Sequence, residues 1–166
     1  MSAEYAIPIK LLLVDDEEDL ITFLAQRLRR RQMDVETATN GADAVAIAEK
    51  GPVHVAVVDL KMPGMSGIEV IEKLKEHHPF LEAIMLTGHG SQDSAYEAGR
   101  LQAYRYLLKP YDFDELYELI LAAAEERRRK MHEEFTKKRQ KMVDQGLSTR
   151  DLLEETEKLR REYEQD

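Results

Sequence analysis

Residues His54-Val55-Ala56-Val57-Val58-Asp59 form a continuous apolar run that ends on a carboxylate, and the reading of this run decides the fold. Uninterrupted apolar runs of this length fit strands covered on both faces, as in a parallel sheet between two layers of helices. Four further runs can be read the same way: Lys10 to Val14, Asp34 to Ala38, Glu82 to Thr87 and Tyr104 to Lys109. Segments of helical spacing separate them, so strand, crossover helix and parallel strand recur five times up to about residue 124.

The intervening helices carry their own signals. Leu20, Leu24 and Leu28 recur at a spacing of four, and Asn40-Gly41 precedes an alanine-rich second helix. Ser66 or Gly67 starts a third, with Ile68, Ile71 and Leu74 directed inward and His77, His78 and Pro79 ending it. A fourth is expected near Gln92 to Leu101. Asp112 can cap a fifth, whose inward face would use Leu116, Leu119, Ile120 and Ala123.

Three parts follow: a tail over 1–9, an α/β domain over 10–124 and a helical extension over 125–166. The extension is a charge-dense helix former in which Gly146 is the only breaker and Ser148 with Asp151 signals a new helix start. Two helices are expected, broken near 146. Leu152, Thr156, Leu159 and Tyr163 form a stripe on the second, and Met131, Phe135 and Met142 a thinner one on the first. Each stripe calls for a partner.

Composition narrows the class. The chain of 166 residues is 43% hydrophobic and 34% charged, with no cysteine, which excludes a disulfide-stapled scaffold and points to the reducing cytoplasm. No run reaches membrane-spanning length and no leader pattern is visible, so no membrane association is expected. The net charge of -9 is uneven, because residues 1–124 hold 21 acidic and 12 basic side chains whereas 125–166 hold 12 of each. An acidic first domain repels a nucleic-acid backbone, and the basic clusters of the extension have acidic neighbours, so direct nucleic-acid binding is not expected.

In an open parallel sheet, ligands collect beyond the C-terminal strand ends. There the first strand runs into Asp15 and Asp16, the third ends at Asp59, the fourth at Thr87 and the fifth at Lys109. Taken singly, Asp15 and Asp16 could be helix caps, Asp59 a turn residue and Lys109 a solvated lysine. Together they form a site. Clustered carboxylates need a cation, and oxygen-only ligands favour magnesium, or manganese in its place. A carboxylate can attack phosphorus when cations neutralise the charge on the equatorial oxygens. The metal and Lys109 would do so, with Thr87 donating its hydroxyl and Gly88 leaving room.

These residues resemble the response-regulator receiver family. The resemblance rests on Leu12 to Glu17, Val57 to Gly67, Met85 to Gly90 and Tyr106 to Pro110, in the family's order and spacing. It implies a five-stranded doubly wound sheet of order 2-1-3-4-5. It further implies that Asp59 accepts a phosphoryl group from a phospho-histidine donor, which would be a sensor histidine kinase or a phosphotransfer protein. Asp16, Asp59 and the Lys61 backbone carbonyl would bind the metal directly and Asp15 through water. Lys109 would pair with the phosphate, Thr87 would shift towards it, and Tyr106 would turn inward. A cis bond between Lys109 and Pro110 is also implied. The usual readout is the surface of the fourth helix, fifth strand and fifth helix.

Where the chain departs from relatives, Gln102 replaces a glycine, and Lys61 and His89 are expected to tune phosphate loss. The protein is thus expected to be a phospho-accepting signalling protein and not a turnover enzyme, its tail pairing with itself or a partner helix. Two alternatives stand beside this. One is a receiver and linker from a longer protein with an effector or kinase domain. The other is a magnesium-dependent aspartyl-phosphate phosphohydrolase, against which Lys61 stands where such enzymes place a second acid.

Overall fold

The computed structural model describes residues 7–88 and 105–165. Five parallel strands form one sheet in the order β2-β1-β3-β4-β5: β1 (Lys10–Val14), β2 (Asp34–Ala38), β3 (Val55–Asp59), β4 (Glu82–Thr87) and β5 (Arg105–Leu108). This is the expected doubly wound fold. Alternation of side chains divides the core into two layers. Leu11, Leu13, Val55, Val57, Ile84 and Leu86 face one side, where α1 (Glu18–Arg30) supplies Ile21, Leu24, Ala25 and Leu28. Leu12, Val14, Ala56, Val58, Ala83 and Met85 face the other, covered by α2 (Gly41–Lys50) and α3 (Gly67–His77).

Local chemistry starts the helices where the strands release the chain. The Asn40 side chain accepts from the Asp43 backbone N–H at 2.9 Å and opens α2. Ser66 and Glu69 form a reciprocal capping box at α3. At the end of α3, His78 is buried with its Nε2 2.9 Å from the Ala48 carbonyl, so it ties α3 to α2 and does more than neutralise a helix end.

The next described helix, α4 (Phe113–Asp144), is the one expected fifth. Leu116, Leu119, Ile120 and Ala123 are buried as the spacing predicts. Asp112 occupies the position before the helix, but its side chain makes no capping hydrogen bond. The helix runs without a break through residue 124 and ends before Gly146, which takes φ +73°. α5 (Thr149–Gln165) follows. The expected fourth helix at Gln92–Leu101, and with it His89, Gln102 and Tyr104, lies outside the described residues.

The two apolar stripes of the extension find their partner within the chain. α5 folds back on α4, where Tyr163 sets its ring edge-on to Phe135 at 6.0 Å and Leu159 is only 5% exposed. Tyr163 also reaches Phe80, in the turn between α3 and β4, at 5.6 Å. The hairpin is therefore docked on the domain. Lys130 of α4 pairs with the buried Glu82 at the start of β4, at 2.5 Å.

Candidate functional site

Strand register brings the polar residues to one edge. Asp59 stands opposite Leu86, next to Thr87, and Thr87 opposite Leu108, next to Lys109. The Lys109 N–H donates to the Thr87 carbonyl at 2.8 Å, which extends the ladder by one bond and fixes the start of the Lys109–Pro110 turn. The peptide bond between these two residues is cis.

On the other side of Asp59, α3 approaches so closely that only glycine fits. A Cβ at Gly67 would lie 2.2 Å from the Asp59 carbonyl oxygen. The Gly67 N–H donates to Leu60 at 3.1 Å, and the Leu60 N–H to Leu86 at 2.8 Å. The Asp59 end of β3 is thus held from two sides.

Asp15, Asp16 and Asp59 each offer a carboxylate oxygen, and these oxygens lie within 4.8 Å of one another. Asp15 and Asp59 are buried, and Asp16 is exposed. Lys109 reaches into the cluster, its Nζ 2.9 Å from Asp15, 3.6 Å from Asp59 and 3.9 Å from Glu17. The second oxygen of Asp15 accepts from the Glu17 N–H at 3.0 Å, which orients Asp15 without consuming its charge.

Crowding of like charge is visible in the ionisation of these groups. The Asp59 carboxyl is pushed up first by burial and then by Asp15, with Lys109 opposing. Burial works against the Lys109 ammonium, yet its hydrogen bond to Asp15 and the charges of Asp15, Asp59 and Glu17 leave it raised, hence firmly protonated. A site with three hard oxygen donors, one of them a carboxyl that resists carrying its own charge, fits a divalent cation such as Mg2+.

The remaining expected residues are placed as follows. Thr87 is buried at the end of β4. Tyr106 is half-buried on β5, packed on the α2–α3 side of the sheet. The Lys61 side chain is exposed, two residues beyond Asp59. Two neighbours were not singled out by the sequence. Glu17 belongs to the second rank of Lys109 partners, and the Tyr111 hydroxyl is buried without a hydrogen bond among the described residues. The Tyr111 hydroxyl is pushed up by burial, while Lys109 opposes and Asp15, Asp59 and Glu17 add to the shift. Position beside Lys109-Pro110 was the only available signal for Tyr111.

Residues 11–121 match the family of response regulator receiver domains, and the chain belongs to that family. Proteins of this class serve two-component signalling, in which histidine kinases or phosphotransfer proteins phosphorylate a domain that binds Mg2+ at an acidic pocket. The chain is 39% identical over 115 residues to the photosynthetic apparatus regulatory protein RegA of Cereibacter sphaeroides, covering 69% of this chain and 62% of RegA. The structure of an adenylate cyclase from Rhodopirellula baltica is similar over 80% of this chain and 98% of that one, with a TM-score of 0.74 and 33% identity. The response regulator TrrA of Thermotoga maritima, in complex with Mg2+ and BeF, gives a TM-score of 0.62 at 29% identity, covering 69% and 97%. The chain spans between 23% and 62% of the lengths of the curated relatives it matches. No described helix is long and apolar enough to cross a membrane.

Proposed function

We propose that Asp59 is the phosphoryl acceptor of a two-component response regulator and that the new charge is read out on the surface of β5 and α4 and through the helical tail. The observation that carries this reading is the position of Lys109 Nζ, which touches both Asp15 and Asp59 at the strand ends. In the reaction, an Asp59 carboxylate oxygen forms a bond to phosphorus as the bond to the donor histidine nitrogen breaks, and the histidine leaves with a proton. A cation held by Asp15, Asp16, Asp59 and the Lys61 carbonyl would supply positive charge to the transferring oxygens. Lys109, fixed by Asp15, supplies a second positive charge, and Thr87 offers a hydroxyl from the neighbouring strand end. Tyr106 is the second switch residue, turning inward as Thr87 moves. That the similar response regulator TrrA was solved in complex with Mg2+ and BeF supports Mg2+ as the cation.

The test is labelling by a phosphorylated histidine kinase domain in the presence of Mg2+, with Asp59→Asn as control. The parent should become labelled and the variant should not; equal labelling sinks the assignment. The greater length of the relatives GlrR and NtrC, of which the match covers only 27% and 23%, supports a second reading of the tail, as a linker to a further domain. Whether the natural reading frame continues past Asp166 decides it.

A further inference from the structure

Two local features divide what would otherwise be one helix from Phe113 to Gln165. Gly146 takes φ +73°, a conformation that costs an L-residue with a Cβ about 1–2 kcal/mol. Ser148 caps α5, its Oγ accepting from the Asp151 N–H at 3.2 Å and donating to the Asp151 carboxylate at 2.6 Å.

The apolar spacing does not reset at this turn. Phe135, Met142, Thr149, Thr156 and Tyr163 follow one another in steps of seven. Met131 stands four residues before Phe135, as Leu152 and Leu159 stand four before Thr156 and Tyr163. The same seven-residue phase holds on both sides of Gly146, with Lys138 and Gln145 taking the companion position in the two heptads nearest the turn. A hairpin imposes no phase relation between its arms, and agreement by accident has odds of about one in seven on a seven-residue repeat. A continuous helix with a single seam requires it.

We propose that α5 exchanges between two copies of this chain: the turn straightens, and each α5 docks on the other copy's α4 and Phe80 in the place it takes in its own chain. α5 runs antiparallel to α4 in both arrangements, so the rings of Phe80, Phe135 and Tyr163, the Lys138 ammonium 5.2 Å from the Tyr163 ring and the buried Leu159 keep their neighbours. Exchange gives up no docking contact. The balance is set by the turn and by concentration. This inference rests on the reading of the tail as an association module and is independent of the chemistry at Asp59.

The experiment uses the full chain. Gly146→Ala penalises the turn, Ser148→Ala removes the cap by an independent route, and Gly146→Asn, which tolerates positive φ, keeps the hairpin. Sedimentation over a concentration series should show both alanine variants dimerising at least roughly tenfold more tightly than Gly146→Asn, the equivalent of about 1.4 kcal/mol. Should Gly146→Ala fail to fold, Ser148→Ala carries the comparison.

Because the chain has no cysteine, a nitroxide on Glu162→Cys in each background reports geometry. In the exchanged dimer the two labels stand about 45 Å apart, from the helical rise per residue on either side of the hinge. Parallel pairing of the tails would bring them within about 15 Å, little more than an interhelical spacing and two linkers. A short distance overturns the exchange and leaves the association reading standing. Monomers in every variant overturn both.

Discussion

Glu82 and Lys130, 48 residues apart in sequence, meet at 2.5 Å where β4 begins, with Glu82 only 2% exposed. The pair fastens the long helix to the end of the sheet opposite the acidic cluster. Removing the cation leaves a buried carboxylate, whereas neutralising the carboxylate leaves an ammonium that can turn to water. Lys130→Met is therefore expected to destabilise the chain by about 2 kcal/mol, softened by the charge of nearby Lys75, and Glu82→Gln by less. Urea denaturation of the two variants and the double variant checks this.

Asp59 costs the apo protein stability. An acid whose folded pKa is raised holds its proton more tightly in the folded chain, so its ionisation weakens folding as pH rises from the ordinary aspartate value of 3.8 through the raised one. At pH 7 without divalent cations, Asp59→Asn should raise Tm by roughly 2–5 °C. The gain should vanish below about pH 3.5, where the carboxyl is protonated in both folded and unfolded chains. Saturating Mg2+ should raise the parent Tm more than that of the variant.

His54 sets an acid limit. Its Nδ1 accepts the Lys10 N–H at 3.1 Å, and burial, followed by Arg127, Lys10 and His78, lowers its pKa from 6.5 to about 4. The unfolded chain takes up this proton first, so stability is complete above pH 6.5 and is lost as pH falls towards 4. The loss should reach on the order of 2–3 kcal/mol, and His54→Gln should flatten it. Denaturation at pH 7 and pH 4.5, with an NMR titration of the ring, measures both sides of the statement.

Gly67→Ala should damage the site through the backbone. The added carbon cannot coexist with the Asp59 carbonyl at 2.2 Å, so α3 or the end of β3 must shift, at a cost of roughly 2–3 kcal/mol. Mg2+ affinity, followed by calorimetry, should fall as well. Unchanged stability and affinity would show that α3 is not held where it is drawn.

The five strands were legible because each apolar run is short and bounded, and Asp15, Asp16, Asp59 and Lys109 because a parallel sheet sends strand ends to one edge. Ile21 and Ala25 were passed over since a spacing of four selects one stripe through Leu24 and Leu28 and misses the flanking positions that complete the buried face. His54 carries no signal in the sequence beyond opening a strand run, because its environment is built by Lys10 and Arg127, from distant parts of the chain. Lys130 could be read only as part of a basic cluster with acidic neighbours, for the same reason. The sequence shows that it neighbours Glu126 and Glu134, but only the tertiary fold presents Glu82. The tail stripes and the break at Gly146 were visible, while the docking of Tyr163 on Phe80 depends on a tertiary contact that a heptad count cannot reveal.

The helix α4 starts four residues past Lys109 and is held at Lys130, a little beyond its midpoint, before it continues to Asp144. Its 32 residues make a rod about 48 Å long. The half from Phe113 to Arg127 is buried against the sheet, so it tilts only with the core, and the place where Glu82 grips the rod sets where the arm that carries the hairpin begins.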